Sequence, residues 1–125
     1  MTINVGAIDD PVPYYAAADV FVLPTFYDPC SLSVSEAAAS GLPSVTTRFN
    51  GAAELLSEGV DGSVISDPAD AAELAGALRP LLDANVRQRM GEAARKLALK
   101  YTLDRNCDQI VSIYQQIAGA SLRAA

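Results

Sequence analysis

Short apolar runs alternate with longer, Ala-rich amphipathic stretches along this chain. Ile3 to Gly6 and Val20 to Leu23 are β-branched-rich and bounded by turn residues, the pattern of strands buried on both faces, and they are expected to be parallel neighbours. Between them, Pro11 to Ala18 follows Asp9 and Asp10 and carries proline near its start, which predicts a crossover helix capped by one of the aspartates. Pro24 to Cys30 is irregular. Ser31 to Ser40 then reads as a helix whose Ala37-Ala38-Ala39 suits close packing on a sheet; Gly41 ends it and Pro43 prevents its resumption. Pro43 to Thr47 predicts a third strand, Asn50-Gly51 a turn, Ala52 to Leu56 a short helix and Gly62 to Ser66 a fourth strand. Strands alternating with helices imply an α/β fold with an open parallel sheet.

From Asp67 onward the pattern is helical. Leu74, Leu78, Leu81 and Leu82 share a face after a cap at Asp67 or Asp70, and Pro80 tightens the last turn. Val86 to Tyr101 places Met90, Ala93, Ala94 and Leu97 on one stripe. Thr102 caps a final helix, in which Cys107, Ile110, Ile113, Tyr114 and Ile117 recur at helical spacing and Ser121 to Ala125 should fray.

With 125 residues, half of them hydrophobic, the chain has the size of one globular domain. Nine Lys and Arg against fifteen Asp and Glu give a net charge of -6, which repels polyanions, so nucleic acid and anionic membranes are poor partners. No run approaches the ~20 apolar residues of a bilayer span. No signal peptide is visible, which makes the cytoplasm the default compartment. Cys30 and Cys107 stand far apart with no other cysteine near, against a disulfide framework or zinc site. Histidine is absent, so any chemistry falls to carboxylates or backbone amides.

In an open parallel sheet, ligands bind beyond the carboxyl ends of the strands. Two loops fall there, Thr25 to Ser31 and Arg48 to Gly51. The first brings the amides of Cys30, Ser31, Leu32 and Ser33 to a helix start, where unpaired N–H groups and the dipole favour a phosphate. Asp28 precedes that helix and Glu36 lies inside it, eight positions on; carboxylates accept hydrogen bonds from hydroxyls, so the pair suits sugars flanking a phosphate. Each residue also has a purely structural reading. Ser33-Val34-Ser35-Glu36 is a capping box, Asp28-Pro29 an Asx turn, Asn50-Gly51 a turn, and Asp9-Asp10 a cap rather than a metal pair. Tyr14, Tyr15 and Tyr114 read as core or interface aromatics. No metal site is expected.

The run Tyr14-Tyr15-Ala16-Ala17-Ala18-Asp19 through Pro24, then Tyr27-Asp28-Pro29-Cys30-Ser31-Leu32, Glu36-Ala37, Ser40-Gly41-Leu42-Pro43, Asn50-Gly51 and Glu54 resembles the carboxyl-terminal half of a GT-B glycosyltransferase of family 4, the group 1 glycosyltransferases. Gly91-Glu92-Ala93-Ala94-Arg95 and Tyr101-Thr102 are similar to the family's two closing helices, so the likeness covers essentially the whole chain. It implies a Rossmann-like sheet, the second half of the GT-B donor domain, ending in several helices. It further implies a retaining, metal-independent transfer of a sugar, of hexosyl type, from a nucleotide-diphospho-sugar, which is a substrate rather than a cofactor. The family's E-x7-E motif falls on Asp28 and Glu36. By that resemblance Glu36 binds the ribose, Asp28 meets the donor sugar near the reacting carbon, and the amides of Cys30, Ser31 and Leu32 hold the sugar and diphosphate. Ile8, beside Ala7, would lie against the base, and Gly51 would border the donor.

The sequence departs from the family in two ways. Aspartate replaces the first glutamate, shortening the reach by one methylene. No Arg or Lys precedes Arg48, so the basic pair that neutralises the leaving diphosphate is missing, as is the acceptor domain. Residues 1–125 are therefore expected to be a single partial domain, inactive alone, in which surfaces such as Ile110, Ile113 and Ile117 drive self-association. Two other readings compete: a nucleotide-sugar 2-epimerase of the same architecture, which the Asp-Pro-Cys-Ser-Leu loop disfavours, and a non-catalytic receiver- or flavodoxin-like module in which Asp28 and Glu36 merely cap.

Overall fold

A computed structural model describes residues 2–123, with side chains described as far as residue 119. The elements in chain order are α1 (Val12–Ala17), β1 (Phe21–Leu23), α2 (Leu32–Ala39), β2 (Ser44–Thr47), a 3-10 turn (Gly51–Leu55), β3 (Gly62–Ile65), α3 (Ala71–Leu78), a second 3-10 turn (Arg79–Leu82), α4 (Ala84–Ala98) and α5 (Leu103–Arg123). The three strands form a parallel sheet in the order β1-β2-β3, with Phe21 opposite Ser44 and Ser44 opposite Gly62. Each parallel pair needs a crossover, and α2 supplies the first. This is the open parallel α/β sheet that the alternation predicts, and it is Rossmann-like as the resemblance implies.

β2 is central and buried along its whole length. Both of its threonines are satisfied sideways: the Thr46 hydroxyl donates to the Leu23 carbonyl at 2.9 Å and the Thr47 hydroxyl to the Thr25 carbonyl at 2.6 Å, whereas the buried Ser44 hydroxyl finds no partner among the described residues. The core gathers Val45, Ile65, Leu81 and Met90, with Leu74, Leu78 and Val86 packed around them. On the other side α2 buries Val34, Ala37 and Ala38 while α4 presents Met90, Gly91 and Ala94. Those small residues let the two helices approach closely.

The helix stops follow their residues. Gly41, at φ +80°, ends α2: its N–H bonds the Ala38 carbonyl and the Leu42 N–H the Ala37 carbonyl, the paired bonds of a Schellman cap. Asp10 accepts from the Val12 N–H at 3.0 Å, and Thr102 accepts from the Arg105 N–H at 3.4 Å. Asp70 caps α3, accepting from Ala72 at 2.8 Å and Glu73 at 3.0 Å. Asp70→Ala is expected to lower stability by about 1 kcal/mol, a fall of roughly 4 °C in Tm on thermal denaturation.

At the β3–α3 junction the Glu73 carboxylate accepts from the Ser66 N–H, the Asp67 N–H and the Ser66 hydroxyl. The Ser66 amide first, and the Asp67 amide and Ser66 hydroxyl after it, hold its pKa below the ordinary glutamate value. The stabilisation is present above the unfolded glutamate pKa and is lost as pH falls through the lowered folded value. Glu73→Gln should therefore flatten the acid limb of a stability–pH profile.

Several expectations are corrected. Ile3 to Gly6 is no strand: Ile3 is 70% and Val5 53% exposed, and the Gly6 N–H turns onto the Asn4 side chain at 2.9 Å with φ +70°. That bend breaks the extended backbone a β1 partner requires, so among the described residues the sheet has three strands rather than four. Leu82 leaves the apolar face and is 80% exposed, because the chain tightens into a 3-10 turn at Arg79. The next helix starts at Ala84, capped by Asp83, and ends at Ala98, before Tyr101. Of the tyrosines expected in a core or an interface, Tyr14 and Tyr114 are exposed, which rules out the core for these two, and Tyr15 is half-buried.

α5 carries its apolar stripe, yet Ile110, Ile113, Tyr114 and Ile117 are all exposed. The helix continues to Arg123, and the expected fraying of Ser121 to Ala125 falls, for its side chains and last two residues, outside the described residues. Among the described residues no helix is long and apolar enough to cross a membrane.

Candidate functional site

The loop after β1 is built by residues of β2 and of the turn behind it. The Asp28 N–H donates to the Phe49 carbonyl at 3.1 Å and the Gly51 N–H returns to the Asp28 carbonyl at 2.9 Å. Gly51 lies so close to Pro29 that a Cβ there would overlap the Pro29 carbonyl. Asn50 is 1% exposed and acts as the hub. Its Oδ1 accepts from the Ser31 N–H at 3.3 Å and the Ala52 N–H at 3.0 Å, while its Nδ2 donates to Thr46 at 3.0 Å. The sequence marks Asn50-Gly51 as a turn; its burial and its bond to the start of α2 come from tertiary packing that local pattern does not carry.

Asp28, Cys30, Ser31 and Gly51 are thus brought together, with a correction to their donors. The Cys30 N–H is given to Asp28 Oδ1 at 3.1 Å, an Asx turn, and the Ser31 N–H to Asn50. Two of the amides expected to face a diphosphate are therefore committed inside the loop. The free donors begin one residue on. Ser31 is the N-cap of α2 but its hydroxyl pairs with that of Ser33 at 2.7 Å, so no side chain caps the first-turn amides, which start at Leu32.

The capping box is overturned. Ser33 lies inside α2, not at its cap, and Glu36 Oε2 accepts instead from the Tyr15 hydroxyl at 3.0 Å. Glu36 is exposed and sits on the rim of an open cavity of about 350 Å³ between α2, the first 3-10 turn and the end of α4. Leu55, Leu56, Leu97 and Tyr101 give that cavity an apolar wall, and Arg95 places a cation on it. Of the expected site only Leu32 and Glu36 line it; Asp28, Cys30, Ser31 and Gly51 do not.

Ile8 belongs to the irregular segment before α1, 39% exposed, and no hydrogen bond described for that segment ties it to the loop. The first cation of the chain, Arg48, stacks 4.9 Å over the Phe49 ring. Phe26 and Tyr27, the second of them inside the family run, are 72% and 79% exposed on the loop. Among the described residues no group of three or more metal-ligating side chains forms.

Known proteins are similar to this chain in sequence and in fold. The family model for glycosyl transferases group 1 matches residues 2–84. A D-inositol 3-phosphate glycosyltransferase of Corynebacterium jeikeium is 32% identical over 114 residues, which is 90% of this chain and 27% of that protein. The sucrose-phosphate synthase of Thermosynechococcus elongatus superposes with a TM-score of 0.78 at 28% identity, covering 86% of this chain and 27% of that one. Anabaena HepE, solved in complex with UDP-glucose, gives a TM-score of 0.67 at 25% identity over 93% of this chain and 30% of its own. The chain spans less than a third of each of these proteins. With the family model spanning the sheet, the loop after β1 and α2, the chain belongs to the group 1 glycosyltransferases, on a GT-B-like fold.

Proposed function

We propose that this chain holds the nucleotide end of a nucleotide-diphospho-sugar for a retaining, metal-independent sugar transfer. The observation that carries the reading is the pairing of an uncapped α2 N-terminus with an exposed carboxylate inside the same helix, Glu36. Unpaired amides from Leu32 onward offer hydrogen bonds and a dipole to the diphosphate, and Glu36 accepts from ribose hydroxyls. Asp28 keeps its Asx turn through Oδ1, leaving Oδ2 to meet the donor sugar. In the transfer the bond between the anomeric carbon and the phosphate oxygen breaks. The nucleoside diphosphate leaves with that electron pair, and the acceptor oxygen bonds the carbon on the same face and passes its proton to the departing phosphate oxygen. The first-turn amides stabilise the charge that grows on the diphosphate. No Arg or Lys precedes Arg48 to neutralise the leaving diphosphate, so the reading assigns donor binding rather than turnover to these 125 residues.

A nucleoside diphosphate should stabilise the chain, whereas a module in which Asp28 and Glu36 only cap would show no such response. Isothermal titration with UDP, GDP and ADP is expected to show one of them binding in the high micromolar to millimolar range, and Glu36→Ala to weaken it by about tenfold, the worth of a charge-assisted bond. Binding unchanged by Glu36→Ala would sink the ribose assignment. The exposed stripe of α5 suits self-association, and light scattering at tens of micromolar is expected to report a dimer or larger species; a monomer would refute that part of the reading.

A further inference from the structure

We infer that Tyr15 is a positioning residue for Glu36: its phenol holds one carboxylate oxygen so that the other faces the ribose of a bound nucleotide. The inference rests on the ribose reading of Glu36 given above. The two residues are 21 positions apart and come from different helices, so their 3.0 Å bond is tertiary rather than a by-product of local geometry. α1, which carries Tyr15, is a six-residue helix with no buried residue. What fixes the Tyr15 ring is its edge contact with Phe21 on β1, at 6.0 Å between centroids and 65° between planes. The phenol is thereby anchored to the sheet while its hydroxyl reaches Glu36.

Glu36 needs such a partner. It is exposed, and an untethered glutamate loses rotamer freedom when a ligand fixes it. Tyr15 donates to Oε2 alone, which leaves Oε1 with both of its lone pairs. Burial chiefly, with the hydrogen bond to Glu36 and its charge, pushes the Tyr15 pKa above the usual tyrosine value. The phenol accordingly stays a donor throughout the neutral range. Phenylalanine at position 15 would keep the contact with Phe21 and remove only the hydroxyl.

The test is a double-mutant cycle read on two ligands. UDP, GDP and ADP are titrated into the 125-residue chain, and the tightest is compared with its 2′,3′-dideoxy counterpart, which lacks both ribose hydroxyls. Tyr15→Phe is expected to weaken the ribonucleotide by roughly threefold to tenfold, to leave the dideoxy analogue unchanged, and to have no further effect once Glu36→Ala is present. Thermal denaturation of Tyr15→Phe should stay at the parent value. If Glu36→Ala collapses the ribo-to-dideoxy ratio while Tyr15→Phe leaves it intact, Glu36 binds ribose without help and the inference is overturned. If Glu36→Ala itself leaves the ratio intact, or no diphosphate binds at millimolar concentration, the ribose reading fails and the role of Tyr15 fails with it.

Discussion

Asn50→Ala should lower the stability of this chain by about 3 kcal/mol, near 10 °C in Tm, although position 50 reads as a surface turn. The side chain is 1% exposed and serves two amides and one hydroxyl, at 3.3, 3.0 and 3.0 Å. Alanine leaves the Ser31 and Ala52 N–H groups without an acceptor in a region where Ser31 is 6% exposed and Ala52 fully buried. Each orphaned donor costs about 1–3 kcal/mol, while the Thr46 hydroxyl keeps its bond to Leu23 and adds little. The loop after β1 is tied to α2 through the same oxygen, so the loss should also raise amide exchange at Asp28 to Ser31 before global unfolding. A Tm within 2 °C of the parent would show that the hub contributes nothing.

Gly91→Ala should destabilise by about 2–3 kcal/mol, against the sign that helix propensity gives. Position 91 lies in the interior of α4, where alanine ordinarily gains about 1 kcal/mol over glycine. Here an added Cβ would overlap the Gly41 carbonyl oxygen, lie 3.1 Å from its carbon and 3.7 Å from Pro43 Cδ. The neighbour is backbone at the Schellman cap of α2, which cannot rotate away. Relief requires α2 and α4 to separate, exposing Val34, Ala37, Ala38 and Ala94. Gly76→Ala, on α3 with open space around its Cβ, is the control and should be neutral or stabilising.

Where local chemistry decides, the sequence is a reliable guide. β1, β2 and β3 appear within a residue of their expected bounds, because short β-branched runs between turn residues have few other uses. Gly41 followed by Pro43 marks the end of α2 for the same reason. Ile3 to Gly6 misleads because a strand is a pairing, and its pattern cannot report whether the Asn4 side chain will bend it. Leu82 misleads because helical periodicity does not carry across Pro80, where the turn tightens to 3-10 geometry. At the site, Asp28 and Glu36 are legible as carboxylates around a helix start. What stays hidden is which amides are spent, since the Cys30 and Ser31 donors go to Asp28 and Asn50. Hidden too is that Glu36 meets Tyr15 rather than its own helix, a contact decided by α1 packing against β1.

The measurement that bears most directly on the donor-binding reading is a two-dimensional amide NMR titration of the chain with the nucleoside diphosphate it binds. Saturable shifts centred on the first turn of α2, at Leu32, Ser33 and Val34, and on Glu36, with smaller ones at Asp28, are the predicted result. Shifts confined to the far wall of the cavity, at Leu55, Leu97 and Leu99, or no saturable shift at millimolar ligand, would contradict it.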